Sequence, residues 1–268
     1  MLLAWRTNPG VTSSQVLVQT PQSAGSRYSL LLTTDSDEVV AAQRLRHRVF
    51  AGELGATLHS LEPDADPDID CDRFDAFCDH LVVREDATGE IVGTYRVLPP
   101  ERARAAGSLY CESEFAIDAL APLRSSLVET GRSCVHPDHR AGAVVSLVWA
   151  GLARYMLLTG NKWLIGCASV PLADGGLAAA AAVADRVLER HLSPEPYRVR
   201  PLRPWDPSGI GRPAKTALPP LLRGYLRLGA WVCGAPAFDP DFNCADFPVL
   251  LGLDHMDARY ARFFLGEQ

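Results

Sequence analysis

A chain of 268 residues, 47% hydrophobic and 22% charged, can bury one large core, and nothing in its composition forces a second domain. A net charge of −6, with Lys162 and Lys215 as the only lysines, argues against a nucleic-acid partner, and no apolar run approaches the ~20 residues needed to cross a bilayer. Seven cysteines, an odd number without framework spacing, suit packing in a reducing compartment better than a disulfide scaffold.

Met1 to Trp5 is apolar, but Arg6 interrupts it and Gly10 to Ser26 is polar. Residues 1–27 are therefore expected to be a flexible arm rather than a signal peptide, and the protein cytoplasmic. Tyr28 to Thr33 reads as a strand, and Asp35 to Asp37 offer N-caps for a helix from Glu38 to about Phe50. Leu61 to Asp79, crowded with Asp and Pro, reads as a long loop too polar for a core. His80 to Arg84 and Glu90 to Leu98 flank Ala87, Thr88 and Gly89, a hairpin pattern that Pro99 and Pro100 end. Leu109 to Phe115 is a short strand or irregular, and Ile117 to Leu123 a helical turn.

Leu127 to Val135 is strand-like and closed by Pro137, which cannot donate to a ladder. From Ala143, Val144, Leu147, Val148, Leu152, Tyr155 and Met156 recur at helical spacing. The first turn of such a helix carries backbone N–H groups without partners and the positive end of the helix dipole. Gly142 lets an anion approach the backbone and Arg140 supplies a charged fork, so this turn is either a phosphopantetheine cradle or an ordinary connection with a surface arginine.

Lys162 to Val170 reads as a buried strand, and Asp174 as the cap of an alanine-rich helix reaching about Arg190. The Pro- and Arg-rich segment 193–220 reads as a connector or flap. Leu221 to Leu228 is a helix, Phe247 to Leu253 a strand, and His255 to Leu265 a terminal helix. Hairpins before Thr130 and strand–helix alternation after it predict a mixed sheet in an α/β or α+β three-layer domain spanning residues 28–268.

Glu129 and Arg132 share the central strand at opposite parity, so they face opposite sides unless a bulge intervenes, for which Gly131 is the easiest place. They read either as a base with a carboxylate-orienting arginine or as a structural ion pair. Asp72 and Asp75 either receive the ammonium groups of a cationic substrate or keep a loop solvated. Arg46 and Phe50 lie four apart on the first helix, and Arg46 reads as a solvated face. The Cys134, His136 and His139 group and the Cys71, Cys78 and His80 group lack structural-zinc spacing, so no metal is expected.

V-H-P-D-H-R-A-G-A after the strand is similar to motif A of the GCN5-related N-acyltransferases, with Ala141 in place of the first glycine and Gly142 retained. L-R-H-R-V-F-A-G-E-L-G at Leu45 to Gly55, D-R-F-D at Asp72 to Asp75, G-T-Y-R-V-L-P at Gly93 to Pro99 and E-T-G-R-S-C-V at Glu129 to Val135 resemble the signature blocks of the acyl-homoserine-lactone synthases, although Ala56 stands where those have tryptophan. Together with L-I-G-C-A-S-V at Leu164 to Val170 and the block from Tyr225 to Leu251, the pattern looks more like the ornithine N-acyltransferases, the hemolysin-like branch of the superfamily.

That resemblance implies a three-layer α/β acyltransferase sandwich whose mixed sheet splays beside the central strand, with a C-terminal extension. It implies acyl transfer from acyl carrier protein, or acyl-CoA, to the α-amine of L-ornithine at the start of ornithine-lipid synthesis, with a long, 3-hydroxy acyl chain and no permanently bound cofactor. Glu129 and Arg132 are the implied catalytic pair, and Arg46, Phe50, Asp72, Asp75 and Arg96 the implied substrate-binding residues. Val135, Arg140, Gly142, Ala143 and Val144 are the implied cradle for the phosphopantetheine arm. Other acceptor amines, a signal-synthase activity and a non-catalytic acyl-binding protein are the alternatives, and peripheral membrane contact through the 193–220 segment is a further expectation.

Overall fold

The computed structural model describes residues 13–20, 27–59, 66–140, 142–257 and 259. A mixed sheet runs in the order β1 (Ser14–Gln19), β2 (Tyr28–Thr33), β3 (Asp79–Glu85), β4 (Ile91–Leu98), β6 (Leu127–Val135), β7 (Trp163–Pro171), β11 (Cys244–Gly252), β10 (Ala237–Asp239). β9 (Trp231–Val232) also pairs with β11, while β5 (Phe115–Ala116) and β8 (Arg200–Pro201) form a separate two-stranded ribbon. β6 and β7 are parallel; the other pairings in the sheet are antiparallel. The helices are α1 (Ser36–His47), α2 (Pro100–Ala106), α3 (Ala143–Thr159), α4 (Gly176–Arg190) and α5 (Pro220–Leu228).

Alternation along the strands builds the layers. On β2 and β3, Leu30, Leu32, Leu81 and Val83 join α3, α4 and α5 in one core, while Leu31 and Val82 join Ala42 and Leu45 of α1 and Val49 of the π-helical segment Arg48–Glu53 that follows it in another. Residues in between point the opposite way because the side-chain period is two, so the sheet lies between helices on both faces. α1 begins where Asp35 accepts hydrogen bonds from the N–H groups of Asp37 and Glu38, a cap worth ~1 kcal/mol.

Several expected boundaries move. Ser14–Gln19, inside the presumed loose arm, is an edge strand paired with β2. Pro100 starts α2 rather than only ending β4, because a helix's first residue has no intrahelical use for an N–H. Asp174 does not cap α4: it has a positive φ of 51°, and Gly175, with no side-chain bond, occupies the cap. The Pro-rich segment contributes β8, and residues 204 and 237 form an isolated bridge. Residues 1–12 and 21–26 of the expected arm, 61–65 of the long loop, and 258 and 260–265 of the expected terminal helix lie outside the described residues; His255, its expected start, instead closes a short turn from Leu253, and Met256 is extended.

The parting of β6 from β7 makes room for a site. Their register covers only Leu127, Val128 and Glu129 against Trp163, Leu164 and Ile165. At Gly166 the strands remain so close that an added Cβ would stand 2.6 Å from the Thr130 carbonyl oxygen. Beyond that point β6 follows β4 and β7 follows β11, whose register runs unbroken from Gly252↔Trp163 to Cys244↔Pro171. Among the described residues, no helix is long and apolar enough to cross a membrane.

Candidate active site

The opening contains a cavity of about 240 Å³ lined by residues of β4, β6, β7, β10 and β11 and of the segments around Phe50, Phe74 and Tyr110. Glu129 and Arg132 both line it. A bulge resolves their opposite parity: the β4–β6 register shifts between Thr94 and Arg96. The left-handed residue is Arg132 itself, at φ 53°, rather than Gly131. A non-glycine residue held at positive φ is strained, and such strain persists where the surrounding structure over-determines it.

Glu129 is buried, and both carboxylate oxygens are engaged. They accept the N–H groups of Tyr110 at 2.7 Å and Cys111 at 2.8 Å, at the start of the helical turn Tyr110–Ser113. Burial pushes its pKa up, and the two amides offset this only in part. The carboxyl is thus positioned by backbone donors and more basic than an ordinary glutamate.

Arg46, expected on a solvated face, is 0% exposed and does not line the cavity. Its Nε donates to Asp70 Oδ2 at 2.8 Å, and its Nη1 and Nη2 donate to the two oxygens of Asp75 at 2.8 and 3.0 Å. Arg96 Nη1 donates to Asp72 Oδ1 at 2.6 Å and Asp75 Oδ2 at 2.9 Å. Arg132 comes within ion-pair distance of Asp70, 3.2 Å, and Asp72, 3.4 Å. Burial raises the Asp75 pKa, but Arg46 and Arg96 overcome it and hold the carboxyl well below its ordinary value. Three arginines thus meet three aspartates, and Asp72 and Asp75 are turned to arginines rather than left open for a substrate ammonium. Part of the segment read as too polar for a core is buried because its charges are paired. Asp70 was not picked out from the sequence, since its partners come from α1 and β6.

Phe50 lines the cavity and meets Phe242 edge-on, with ring centroids 5.5 Å apart. The Arg132 guanidinium lies 5.0 Å from the ring centroids of both Tyr110 and Phe242, and its Nε faces Asp70 Oδ2 at 3.2 Å without hydrogen-bond geometry. Arg132 thus reaches the cavity wall while paired with Asp70 and Asp72.

The presumed cradle is partly taken up. Arg140 forms an ion pair with Glu53, with Nη2–Oε2 at 2.7 Å, and its Nε donates to the Val135 carbonyl at 3.1 Å. Gly142 caps α3 at φ 101°, a conformation that suits glycine. Ala143 opens the helix, whereas the Val144 side chain is buried in the core beside Gly93. Ala141 lies outside the described residues.

Two clusters at the site escaped the sequence reading. The hydroxyls of Tyr95, Thr130 and Tyr225 share hydrogen bonds: Tyr95–Thr130 at 3.0 Å, Thr130–Tyr225 at 3.1 Å, and a direct Tyr95–Tyr225 contact. Glu114, Asp239 and Asp246 form a buried acidic group, and Asp239 and Asp246 line the cavity together with Cys167 and Ser169. Asp239, Cys244 and Asp246 present ligand atoms within 4.8 Å of one another. Burial, and then repulsion from Asp246 and Asp239, pushes the Glu114 pKa up to about 9.

Because the folded chain keeps the Glu114 proton up to about 9 while an ordinary glutamate loses it near 4.5, the folded state binds more protons across that window. Stability contributed by this group falls as pH rises, by at most ~1.4 kcal/mol per pH unit. Glu114→Gln is expected to shrink the drop in urea midpoint between pH 6 and pH 8.5; equal drops in variant and wild type would remove the assignment.

Residues 45–150 match the Acetyltransferase (GNAT) domain family. The chain is 35% identical over 252 residues to an L-ornithine N(alpha)-acyltransferase of Rhodobacter capsulatus, covering 88% of this chain and 94% of that protein. It is 36% identical over 252 residues to an L-ornithine N(alpha)-acyltransferase of Rhizobium meliloti, covering 87% and 82%. In fold it is similar to the crystal structure of the AHL synthase LasI, with a TM-score of 0.52 at 13% identity over 91% of this chain and 100% of that one. With identity above 30% along most of both relatives and the mixed, splayed sheet of the acyltransferase sandwich, the chain belongs to the L-ornithine N(alpha)-acyltransferase family and is an acyltransferase of the GNAT fold.

Proposed function

We propose that the chain transfers an acyl group from an acyl-phosphopantetheine thioester to the α-amine of L-ornithine, with a long-chain 3-hydroxyacyl carrier protein as donor, as the first step of ornithine-lipid synthesis. The observation that carries this reading is the parting of β6 and β7 beside Glu129, in a chain whose relatives are named for this reaction. The α-amine nitrogen attacks the thioester carbonyl carbon, a C–N bond forms, the C–S bond breaks, and the proton lost by nitrogen balances the one taken by the departing thiolate. Glu129, raised in basicity by burial, receives the amine proton directly or through a water.

Arg132, at the cavity wall, orients the ornithine carboxylate with the guanidinium N–H groups left over from its ion pairs with Asp70 and Asp72. The β6 backbone around the bulge, which has no β7 partner there, supplies N–H groups for the oxyanion. Gly142, Ala143 and the Val144 backbone at the start of α3 hold the pantetheine phosphate, with Arg140 released from Glu53 when the carrier docks. Seven free thiols fit work in the cytoplasm, with peripheral membrane contact to hand over an acylated product.

Thiol release from 3-hydroxyacyl carrier protein is expected to depend on added ornithine. Release at the same rate without ornithine, or faster release with another amine, would overturn the acceptor assignment.

A further inference from the structure

Two acidic groups near the site differ in their electrostatics, and of their members Asp239 and Asp246 line the cavity. Asp70, Asp72 and Asp75 are matched by Arg46, Arg96 and Arg132. Among the described residues, by contrast, no ion pair includes Glu114, Asp239 or Asp246. Asp239 Oδ1 accepts the N–H groups of Asp241 and Phe242 at 2.8 and 3.2 Å. Asp246 Oδ1 accepts the Cys244 thiol at 3.4 Å, and Ser169 and Glu114 lie against the same carboxyl.

Glu114 supplies an independent sign of a missing ligand. The residue is more than nine-tenths buried, no donor meets either carboxylate oxygen with full hydrogen-bond geometry, and Asp246, Asp239 and the Cys167 thiol crowd against it. Burying a carboxyl without a donor is costly, and crowding three together adds mutual repulsion. A cation entering beside them relieves both. An ammonium has three N–H donors and no acceptor, so it can meet several carboxyls at once.

We propose that Glu114, Asp239 and Asp246 form the subsite for the side-chain ammonium of the acceptor, selecting a diamino acid over a neutral amino acid of the same length. The inference rests on the proposed function for the identity of the acceptor and deepens it: Arg132 takes the carboxylate end and the acidic group the far end, which leaves the α-amine beside Glu129. A divalent metal on Asp239, Cys244 and Asp246 is the competing occupant. The ammonium is favoured because the Cys244 Sγ already donates to Asp246 Oδ1, and because Glu114, the carboxyl left without a hydrogen-bond donor, stands outside that ligand set.

The test compares ornithine with norvaline, which has the same carbon skeleton and no side-chain amine. For the full-length wild-type chain, kcat/KM by thiol release and binding by calorimetry are expected to favour ornithine on the order of 100-fold. Asp246→Asn and Glu114→Gln should each lower that preference at least roughly tenfold by raising KM for ornithine while leaving norvaline little changed. Glu114→Gln replaces a carboxyl that already holds its proton, so it keeps the test open should Asp246→Asn not fold.

Efficient acylation of ornithine with an undiminished preference in both variants overturns the subsite and leaves the proposed function standing. Calorimetric binding of ornithine but not norvaline, lost in the variants and without any thiol release, supports the subsite and overturns the acyl-transfer reading. A melting-temperature rise with Zn²⁺ or Mg²⁺ that Asp246→Asn abolishes, with no discrimination between the two amino acids, assigns the cluster to a metal and overturns the subsite.

Discussion

Replacing Arg46 by alanine is expected to cost ~3–5 kcal/mol of folding stability, far more than the loss of a surface arginine. Its guanidinium is fully buried and donates to both Asp70 and Asp75. Removing it leaves two carboxylates in a low-dielectric interior with part of their hydrogen bonding and half of their counter-charge gone. Arg96 and Arg132 also touch these aspartates, so the loss spreads through the network and exceeds one pair's worth. Arg46→Lys keeps the charge but cannot reproduce the forked contact with Asp75, and is expected to fall between alanine and wild type. Urea denaturation measures both. An Arg46→Ala variant as stable as wild type, but with a raised KM for the acceptor, would return Arg46 to the substrate-binding role implied by the family resemblance.

Glu129→Gln is expected to lower kcat on the order of 10²–10⁴-fold at neutral pH. Two effects combine in this substitution and can be separated. Gln retains one acceptor but directs an NH₂ group at a backbone N–H of Tyr110 or Cys111, which costs ~1–3 kcal/mol of local stability and slackens the turn that the carboxylate anchors. That structural loss scales activity by the same factor at every pH. Loss of the proton acceptor instead changes the profile: activity of the wild type rises as Glu129 ionises, above the ordinary carboxylate range because of burial, and that limb disappears in the variant. A profile of unchanged shape, displaced downward, would make Glu129 a positioning residue for the Tyr110–Ser113 turn and would leave the hydroxyl group of Tyr95, Thr130 and Tyr225 as the other proton-handling groups at the site.

The local framework was legible because it rests on short-range periodicity. β2 and β6 appear at the bounds that their β-branched and apolar runs predict, and α3 starts at Ala143 as its apolar spacing requires. Parity alone put Glu129 and Arg132 on opposite faces unless a bulge intervened; the bulge is present just past Gly131, at Arg132 and Ser133, and the positive φ falls on Arg132 and not on the adjacent glycine. Asp72 and Asp75 attracted notice because they sit in a marked block. Nothing in their spacing said that Arg46 would reach them from α1 and Arg96 from β4, so loop carboxylates resembled ligand groups until their partners were placed.

The acidic subsite lies at the far end of that limit. Glu114 leaves a helical turn before β5, Asp239 ends β10, and Asp246 lies on β11. Asp239 and Asp246 sit in the block from Tyr225 to Leu251 and are joined by the local β10–β11 hairpin, but nothing in that block signals a subsite, and the β7–β11 pairing that sets Asp246 against Ser169 connects residues far apart in sequence. By itself the sequence determined the strand, basic turn and helix at the centre, the hairpin beside them and the acyltransferase kinship, because each is encoded within a few neighbouring residues. Only the tertiary structure decided which charges cancel and which are left facing the cavity, since electrostatic balance depends on distance in space and on exclusion from water, and neither can be read along the chain.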